Sequence, residues 1–373
     1  MDIRQYNLRT STYEYLNKMD IDAFMPVQSK VIPLSLKGRQ VIVEAPTGTG
    51  KTLAFLIPVL EKLDRGNRNL QSIIFVPTRE LGKQIWNVIQ DIKEFDKDIS
   101  VMLAIGGEDI KRQAEKFVKR PQIVIATPDR LAKLMNDTPI PTEHINTITI
   151  DEADMILDFG FMNDIDDFVA RRIRGEVNFS LFSATLPIPL QNFIKRNIKG
   201  EVENILIKKE DEEQIIEMVK AHDGDRDQTL IEIINSDKFN PFLCLIFAKT
   251  NDEVRYVYQN LRNSGVKQIA AFHSDLSPRE KNRIIKGIQS MDIIYLVTTD
   301  LIARGMDFPG VSHVLNYTLP ADLSYYRHRI GRTNRGKGLN NGRVIDIYTD
   351  QDTHRYKEIE SKNDFIKLEK TRM

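Results

Sequence analysis

The chain has 373 residues, 41% hydrophobic and 28% charged, with 53 basic and 53 acidic side chains. That length predicts about two domains, and the composition predicts a globular fold rather than a disordered or fibrous one. No apolar run approaches the ~20 residues that span a bilayer, one cysteine cannot close an internal disulfide, and zero net charge supplies no overall field for a polyanion.

Residues 1–40 read as mainly helical, with Ser11 able to cap a helix carrying Tyr13, Leu16 and Met19. Strands are predicted at Val41–Glu44, Ser72–Val76, Val101–Ile105, Ile123–Ala126, Thr147–Ile150 and Ser180–Phe182. Helical patterns such as Leu53–Leu63, Glu80–Phe95 and Lys111–Val118 lie between them, with a kink expected at Pro58. Repeated strand–helix units imply a parallel sheet with helices on both faces. Around Lys208–Glu213 the apolar pattern lapses into mixed charge, which reads as a solvated linker. Strands resume at Leu243–Phe247, Ile269–Phe272, Ile293–Val297, Val311–Asn316 and Arg343–Tyr348. The expected organisation is a first domain over residues 1–207, a linker over 208–215 and a smaller second domain over 216–373. The first residues lack a signal-peptide core, Cys244 sits inside an apolar strand pattern, and the six histidines are scattered without metal-ligand spacing. A cytoplasmic location is expected.

The stretch Ala45-Pro46-Thr47-Gly48-Thr49-Gly50-Lys51-Thr52 separates a buried strand from a helix. This is the setting of a phosphate-binding loop. Its glycines let several backbone N–H groups face one point, and the helix N-terminus adds partial positive charge. Lys51 would meet the β- and γ-phosphates and the Thr52 hydroxyl a Mg²⁺ ion. Downstream, Asp151-Glu152-Ala153-Asp154 follows an apolar strand. Asp151 is the candidate metal ligand, through water, and Glu152 the candidate base for an attacking water.

The tetrad and the motifs around it resemble the DEAD-box ATP-dependent RNA helicases, in that family's order and over nearly the whole chain. The resemblance implies an α/β fold of two tandem RecA-like domains, parallel sheets flanked by helices, joined by a short linker. Ala45–Thr52 is similar to motif I, Asp151–Asp154 to motif II, and Ser183-Ala184-Thr185 to motif III, which couples nucleotide and RNA sites. Gln28 resembles the glutamine of the Q motif, whose amide can pair with adenine N6 and N7. Asp20-Ile21 replaces the usual Gly-aromatic start and Phe24-Met25 the Pro-Thr pair. The adenine-stacking aromatic falls at Ile3, with Tyr6 as a substitute. Thr78 and Arg79, Gly106-Gly107, and Thr127 with Arg130 resemble first-domain RNA contacts. Asp129 replaces the family's glycine there.

In the second half, His328-Arg329-Ile330-Gly331-Arg332-Thr333-Asn334-Arg335 resembles motif VI, with Asn334 in place of glycine. By resemblance, Arg332 and Arg335 are arginine fingers, a role worth roughly 10³–10⁵ in rate. Thr298–Asp307 resembles motif V: Gly305 and Asp307 belong to the nucleotide, Thr299 and Asp300 to RNA, and Arg304 to coupling, together with His328, Asp154, Ser183 and Thr185. Leu245–Thr250 resembles motif IV. The stretch after His273-Ser274-Asp275 carries Pro278 for the usual Gln and Lys281 for the usual Arg, so Lys281 keeps the charge but not the planar fork.

The implied activity is ATP-dependent RNA binding and local duplex unwinding, with ATP and Mg²⁺ as cofactors and closure of two domains needed for hydrolysis. RNA would be held on phosphate and sugar, without strong sequence preference. An alternative is an ATP-gated RNA clamp or ribonucleoprotein assembly factor that separates no strands; a DNA helicase is a third. A monomer is expected. The absence of a basic or Gly-rich tail resembles minimal bacterial members linked to ribosome assembly or RNA turnover.

Overall fold

The computed structural model describes residues 2–46, 48–138, 140–207, 214–221, 225–303, 308, 310–320, 323–333, 342–362 and 366–371. It divides into two compact units, Met1–Lys208 and Lys209–Met373. The expected site residues Thr47, Arg304, Gly305, Asp307 and Arg335 lie outside the described residues, as do Asn334 and 208–213 of the expected linker.

The first unit opens with α1 (Thr10–Lys18) and α2 (Pro26–Leu36), then β1 (Gln40–Glu44) and α3 (Lys51–Lys62). There follow β2 (Ser72–Phe75), α4 (Arg79–Ile92), β3 (Val101–Ala104), α5 (Ile110–Val118), β4 (Ile123–Ala126) and α6 (Pro128–Asp137). β5 (Thr147–Ile150), α7 (Ala153–Asp158), α8 (Met162–Arg172), β6 (Asn178–Ser183), α9 (Ile188–Asn197) and β7 (Val202–Leu206) complete it. The sheet order is β3-β4-β2-β5-β6-β1-β7, and every pairing is parallel. Register places Glu44 beside Ser183 and Phe75 beside both Ile150 and Ala126. The loops that follow β1, β2, β4, β5 and β6 therefore leave one edge of one sheet.

Both faces of that sheet are buried, as the near-continuous apolar strands require. Val41 and Val43 join one core cluster and Ile42 the other; Ile74 and Val76 face one side, Ile73 and Phe75 the other. α3 runs through Pro58 to Lys62, so the proline does not end the helix. Ser11 lies inside α1 rather than capping it. The cap comes from α3 instead: the Glu61 carboxylate accepts from the Arg9 N–H at 3.0 and 3.1 Å. That contact spans 52 residues of sequence, so no local pattern reveals it.

The second unit contains β8 (Gln214–Lys220), α10 (Arg226–Asn235), β9 (Cys244–Ala248), α11 (Asn251–Asn263), β10 (Ile269–Phe272) and α12 (Pro278–Gln289). β11 (Tyr295–Thr299), α13 (Asp300–Ala303), β12 (His313–Asn316), α14 (Leu323–Ile330), β13 (Arg343–Tyr348), α15 (Thr353–Lys362) and β14 (Ile366–Thr371) follow. The order β10-β11-β9-β12-β13-β8-β14 repeats the all-parallel plan. β8 begins at Gln214, inside the stretch read as linker, so this sheet starts two residues before the expected boundary at 216. Among the described residues no helix is long and apolar enough to cross a membrane.

Phe182 is fully buried and packs on Phe55 with ring centroids 5.3 Å apart, joining β6 to α3. Phe182→Ala is expected to cost the first unit about 3–5 kcal/mol, read as a lower urea midpoint of its unfolding transition; an unchanged midpoint would show that this pair does not hold α3 on the sheet.

Candidate active site

The loop after β1 turns on two glycines with positive φ, Gly48 at 80° and Gly50 at 88°. Gly50 caps α3 in the left-handed region, which glycine enters without a Cβ penalty. A Cβ at Gly50 would also lie 2.5 Å from the Gln28 amide nitrogen. The Thr49 hydroxyl donates to Pro46 O at 2.8 Å, tightening the turn. Lys51 and Thr52 are the first two residues of α3.

Lys51 is 6% exposed. Its Nζ donates to Ala45 O at 3.2 Å and pairs with Glu152 Oε1 at 3.0 Å. Burial disfavours its charge, but Glu152, Asp151 and Asp154 outweigh burial and raise its pKa. Asp151 is buried too, and its pKa is raised, first by burial and then by the charge of Glu152. Its Oδ1 accepts from Glu152 N at 3.0 Å. Glu152 has φ 49° and ψ 54°, left-handed for a residue with a side chain, and its Oε2 is buried without a hydrogen-bond partner. Such backbone strain costs on the order of 1–3 kcal/mol and persists only where the surroundings enforce it.

Asp154 joins this cluster to β6. Its N–H donates to Ser183 Oγ at 3.1 Å, Ser183 Oγ donates to Thr185 O at 2.6 Å, and Thr185 Oγ1 donates to Asp154 Oδ2 at 3.2 Å. The three expected coupling residues of this unit thus form one closed loop of hydrogen bonds. Gln28 reaches the phosphate loop directly. Its Oε1 accepts from Met25 N at 2.9 Å and its Nε2 donates to Gly50 O at 3.1 Å. One lone pair and one N–H of that amide remain for a base. Ile3 and Tyr6 are both core residues, and the Tyr6 ring packs edge-on against Phe24 at 4.9 Å.

At the same sheet edge, Thr78 caps α4 by accepting from Leu81 N at 3.2 Å. The Arg79 guanidinium lies over Gly106 and Gly107, where a Cβ on Gly106 would come within 2.6 Å of Arg79 Nη2. Thr127 is buried ahead of α6. Arg130 is engaged within the protein: Nε donates to Gln113 Oε1 at 2.7 Å and Nη2 to Glu108 O at 2.5 Å. These bonds brace the Gly106–Glu108 loop, a role that the expectation of an RNA contact at Arg130 did not include. Fully buried Gln113 completes the brace through its donation to Ile105 O at 2.9 Å, and sequence reasoning passed over it. Asp129 has a partner of its own, Lys133 at 3.7 Å.

In the second unit the Asp300 carboxylate, expected on the RNA side, is gripped by Arg329 through bonds of 2.5 and 2.6 Å. Arg329, 2% exposed, further donates to Asn316 Oδ1 at 2.8 Å and Thr318 O at 2.7 Å, and stands 4.8 Å from the Phe247 ring centroid. Thr299, His328 and Arg332 are buried. Arg332 follows α14, its N–H donating to Arg329 O at 3.0 Å. Lys281 lies in the first turn of α12, where Pro278 takes the first helical position and Ser277 with Glu280 forms a capping box.

A model of the DEAD/DEAH box helicase family matches residues 25–193, and one of the helicase conserved C-terminal domain matches residues 225–337. The DEAD-box ATP-dependent RNA helicase CshB of Staphylococcus aureus is 31% identical over 360 residues, 96% of this chain and 79% of that protein. CshB of Bacillus subtilis is 34% identical over 370 residues, 98% of this chain and 84% of that one. Among solved structures, S. cerevisiae Dbp5 bound to RNA and ADP BeF3 matches with a TM-score of 0.86 at 25% identity, covering 99% of this chain and 95% of that one. Mss116 bound to ssRNA and UDP-BeF matches with a TM-score of 0.86 at 26% identity, covering 100% and 79%. With the phosphate loop, the acidic tetrad and the Ser-Ala-Thr turn on one sheet edge, the chain belongs to the DEAD-box family of ATP-dependent RNA helicases.

Proposed function

We propose that this chain is an RNA-stimulated ATPase that couples ATP binding and hydrolysis to RNA binding and to the opening of short duplexes. The observation that carries this reading is the buried Lys51–Glu152 pair, set between the phosphate loop and a hydrogen-bonded turn that includes Ser183 and Thr185. A polyphosphate on the loop would compete with Glu152 for Lys51. Its binding would leave the Glu152 carboxylate to orient and deprotonate an attacking water. Asp154 would pass the change to Ser183 and Thr185. The Gln28 amide, already on Gly50 O, would join adenine recognition to loop geometry.

Mg²⁺ fits the donors present. Asp151 is a buried carboxylate just after β5, and Thr52 supplies a hydroxyl at the start of α3. Among the described residues no group of three or more His, Cys, Asp or Glu is set to hold a metal. Thr52 and Asp151 would therefore share the ion with phosphate oxygens, as Mg²⁺ sites in phosphoryl transfer do. When bound it would offset the negative charge that builds on the transferred phosphoryl group.

Arg332, Arg335, Gly305 and Asp307 of the second unit would supply the remaining nucleotide contacts, so turnover is proposed to need both units. RNA would lie along the loops bearing Thr78, Arg79, Gly107 and Thr127 in the first unit. In the second, Thr299 and Lys281 would complete its track. A second reading, an ATP-gated clamp without strand separation, draws support from Arg130 and Asp300, whose side chains make hydrogen bonds within the protein. Partners in ribosome assembly or RNA turnover, a monomeric state and a cytoplasmic location belong to the proposal.

Displacement of a short labelled RNA duplex in the presence of ATP separates the two readings; release with ATP but not with a non-hydrolysable analogue favours the helicase over the clamp. Lys51→Ala is expected to abolish RNA-stimulated ATP hydrolysis, and wild-type turnover in that variant would defeat the phosphate-loop assignment. Gly50→Ala is expected to weaken ATP binding at least about tenfold, because a Cβ there meets Gln28 and the φ of 88° is left-handed. Unchanged nucleotide affinity in a titration would show that the Gln28–Gly50 contact does not shape the loop.

A further inference from the structure

The second unit contains a buried polar chain whose members Asp346, Asn316 and Tyr326 lie outside the motif expectations. Asp346, Asn316 and Tyr326 are fully buried, and Arg329 is 2% exposed. Asp346 stands in the middle of β13, inside Val344-Ile345-Asp346-Ile347, where a carboxylate must find partners or lose its charge. Its Oδ1 accepts from Asn316 Nδ2 at 2.6 Å and its Oδ2 from the Tyr326 hydroxyl at 2.6 Å. Burial pushes its pKa up to about 6, against the lowering effect of those two bonds and of the Arg329 charge.

The direction of the chain is forced. A guanidinium only donates, so Arg329 Nη1 turns the Asn316 Oδ1 toward itself, at 2.8 Å. The Asn316 Nδ2 must then face Asp346, which has to accept. Tyr326 and Arg329 are three residues apart on α14 and so share a face of that helix. Asp346 therefore holds α14 twice, directly through Tyr326 and indirectly through Asn316 and Arg329. Arg329 grips Asp300 at the start of α13, and its carbonyl accepts from Arg332 N at 3.0 Å. The backbone of Arg332 is thereby registered to β12 and β13.

We propose that Asp346 is a positioning residue for ATP hydrolysis: by fixing Asn316 and Tyr326 it sets the placement of α14, and with it where Arg332 is delivered. This rests on the reading of Arg332 as a group that acts on the polyphosphate. Asp346 touches neither nucleotide nor RNA in this role. It acts through the hydrogen-bond chain, so its loss should appear in turnover and leave the affinity of the phosphate loop for ATP unaltered.

An exchange of the two partners tests it in the full chain. Asn316→Asp alone sets a second carboxylate against Asp346 and should lower the RNA-stimulated kcat at least about tenfold, with KM for ATP within about twofold. Asn316→Asp combined with Asp346→Asn keeps every bond: the new carboxylate at 316 accepts from Arg329 and from the new amide at 346, whose oxygen takes the Tyr326 hydroxyl. That pair should return kcat to within about threefold of wild type. Tyr326→Phe removes one grip without adding charge, and should lower kcat without raising KM in a protein that still folds. Melting temperatures are measured alongside. A double variant that regains its melting temperature but not its kcat would overturn the proposal, as would an unchanged kcat in Tyr326→Phe or losses shared equally by kcat and KM. A wild-type chain without RNA-stimulated hydrolysis would overturn the functional reading itself, whereas an active wild type with an unrescued exchange overturns only the role of Asp346.

Discussion

One buried cation organises the first unit. Lys51 lies almost out of solvent, 3.0 Å from Glu152, with Asp151 and Asp154 adding to the field that keeps it charged. Burial of an ammonium costs several kcal/mol unless opposite charge and hydrogen bonds compensate. Here the compensation comes from the acidic tetrad after β5, brought beside the loop after β1 by the parallel order β5-β6-β1. The phosphate loop and the acidic turn are therefore electrostatically interdependent. A group that draws Lys51 away would change the charge balance at Glu152, and Asp154 ties that turn to β6 through its hydrogen bonds with Ser183 and Thr185.

The second unit solves a similar problem with different residues. Arg329 is buried, and its fork is matched by Asp300, Asn316 and Thr318 O, with the Phe247 ring beneath it. Asp346 and Tyr326 close the far end of the chain. In both units the charged groups stand at or near the carboxyl ends of parallel strands, where loops can present groups to a ligand while the strands remain apolar. What differs is exchangeability. Lys51 has one carboxylate partner that a polyphosphate could replace; Arg329 is fully enclosed and suits a fixed scaffold.

The alternation of strands and helices was legible because fully buried parallel strands read as short apolar runs. Ile123–Ala126, Thr147–Ile150, Ile269–Phe272 and Arg343–Tyr348 occur with the expected bounds. β7 escaped notice because it is an edge strand whose Glu203 and Asn204 break the apolar run, and β8 because its start lies in a charged stretch. The phosphate loop and the tetrad were readable since their chemistry depends on residue type at fixed spacing. The bracing roles of Arg130, Gln113 and Arg329 were not, because each depends on a partner distant in sequence. Asp346 did leave a trace: a carboxylate inside an apolar central strand has to be paired.

The central claim is that nucleotide and RNA favour the same state of this chain, so that each strengthens the binding of the other. The direct measurement is the affinity of the full chain for labelled single-stranded RNA, with a non-hydrolysable ATP analogue and then with ADP. The account predicts tighter RNA binding with the analogue, by roughly 5–150-fold, with the same factor appearing in the affinity for the analogue when RNA is saturating. Equal RNA affinity in the two nucleotide states would contradict it.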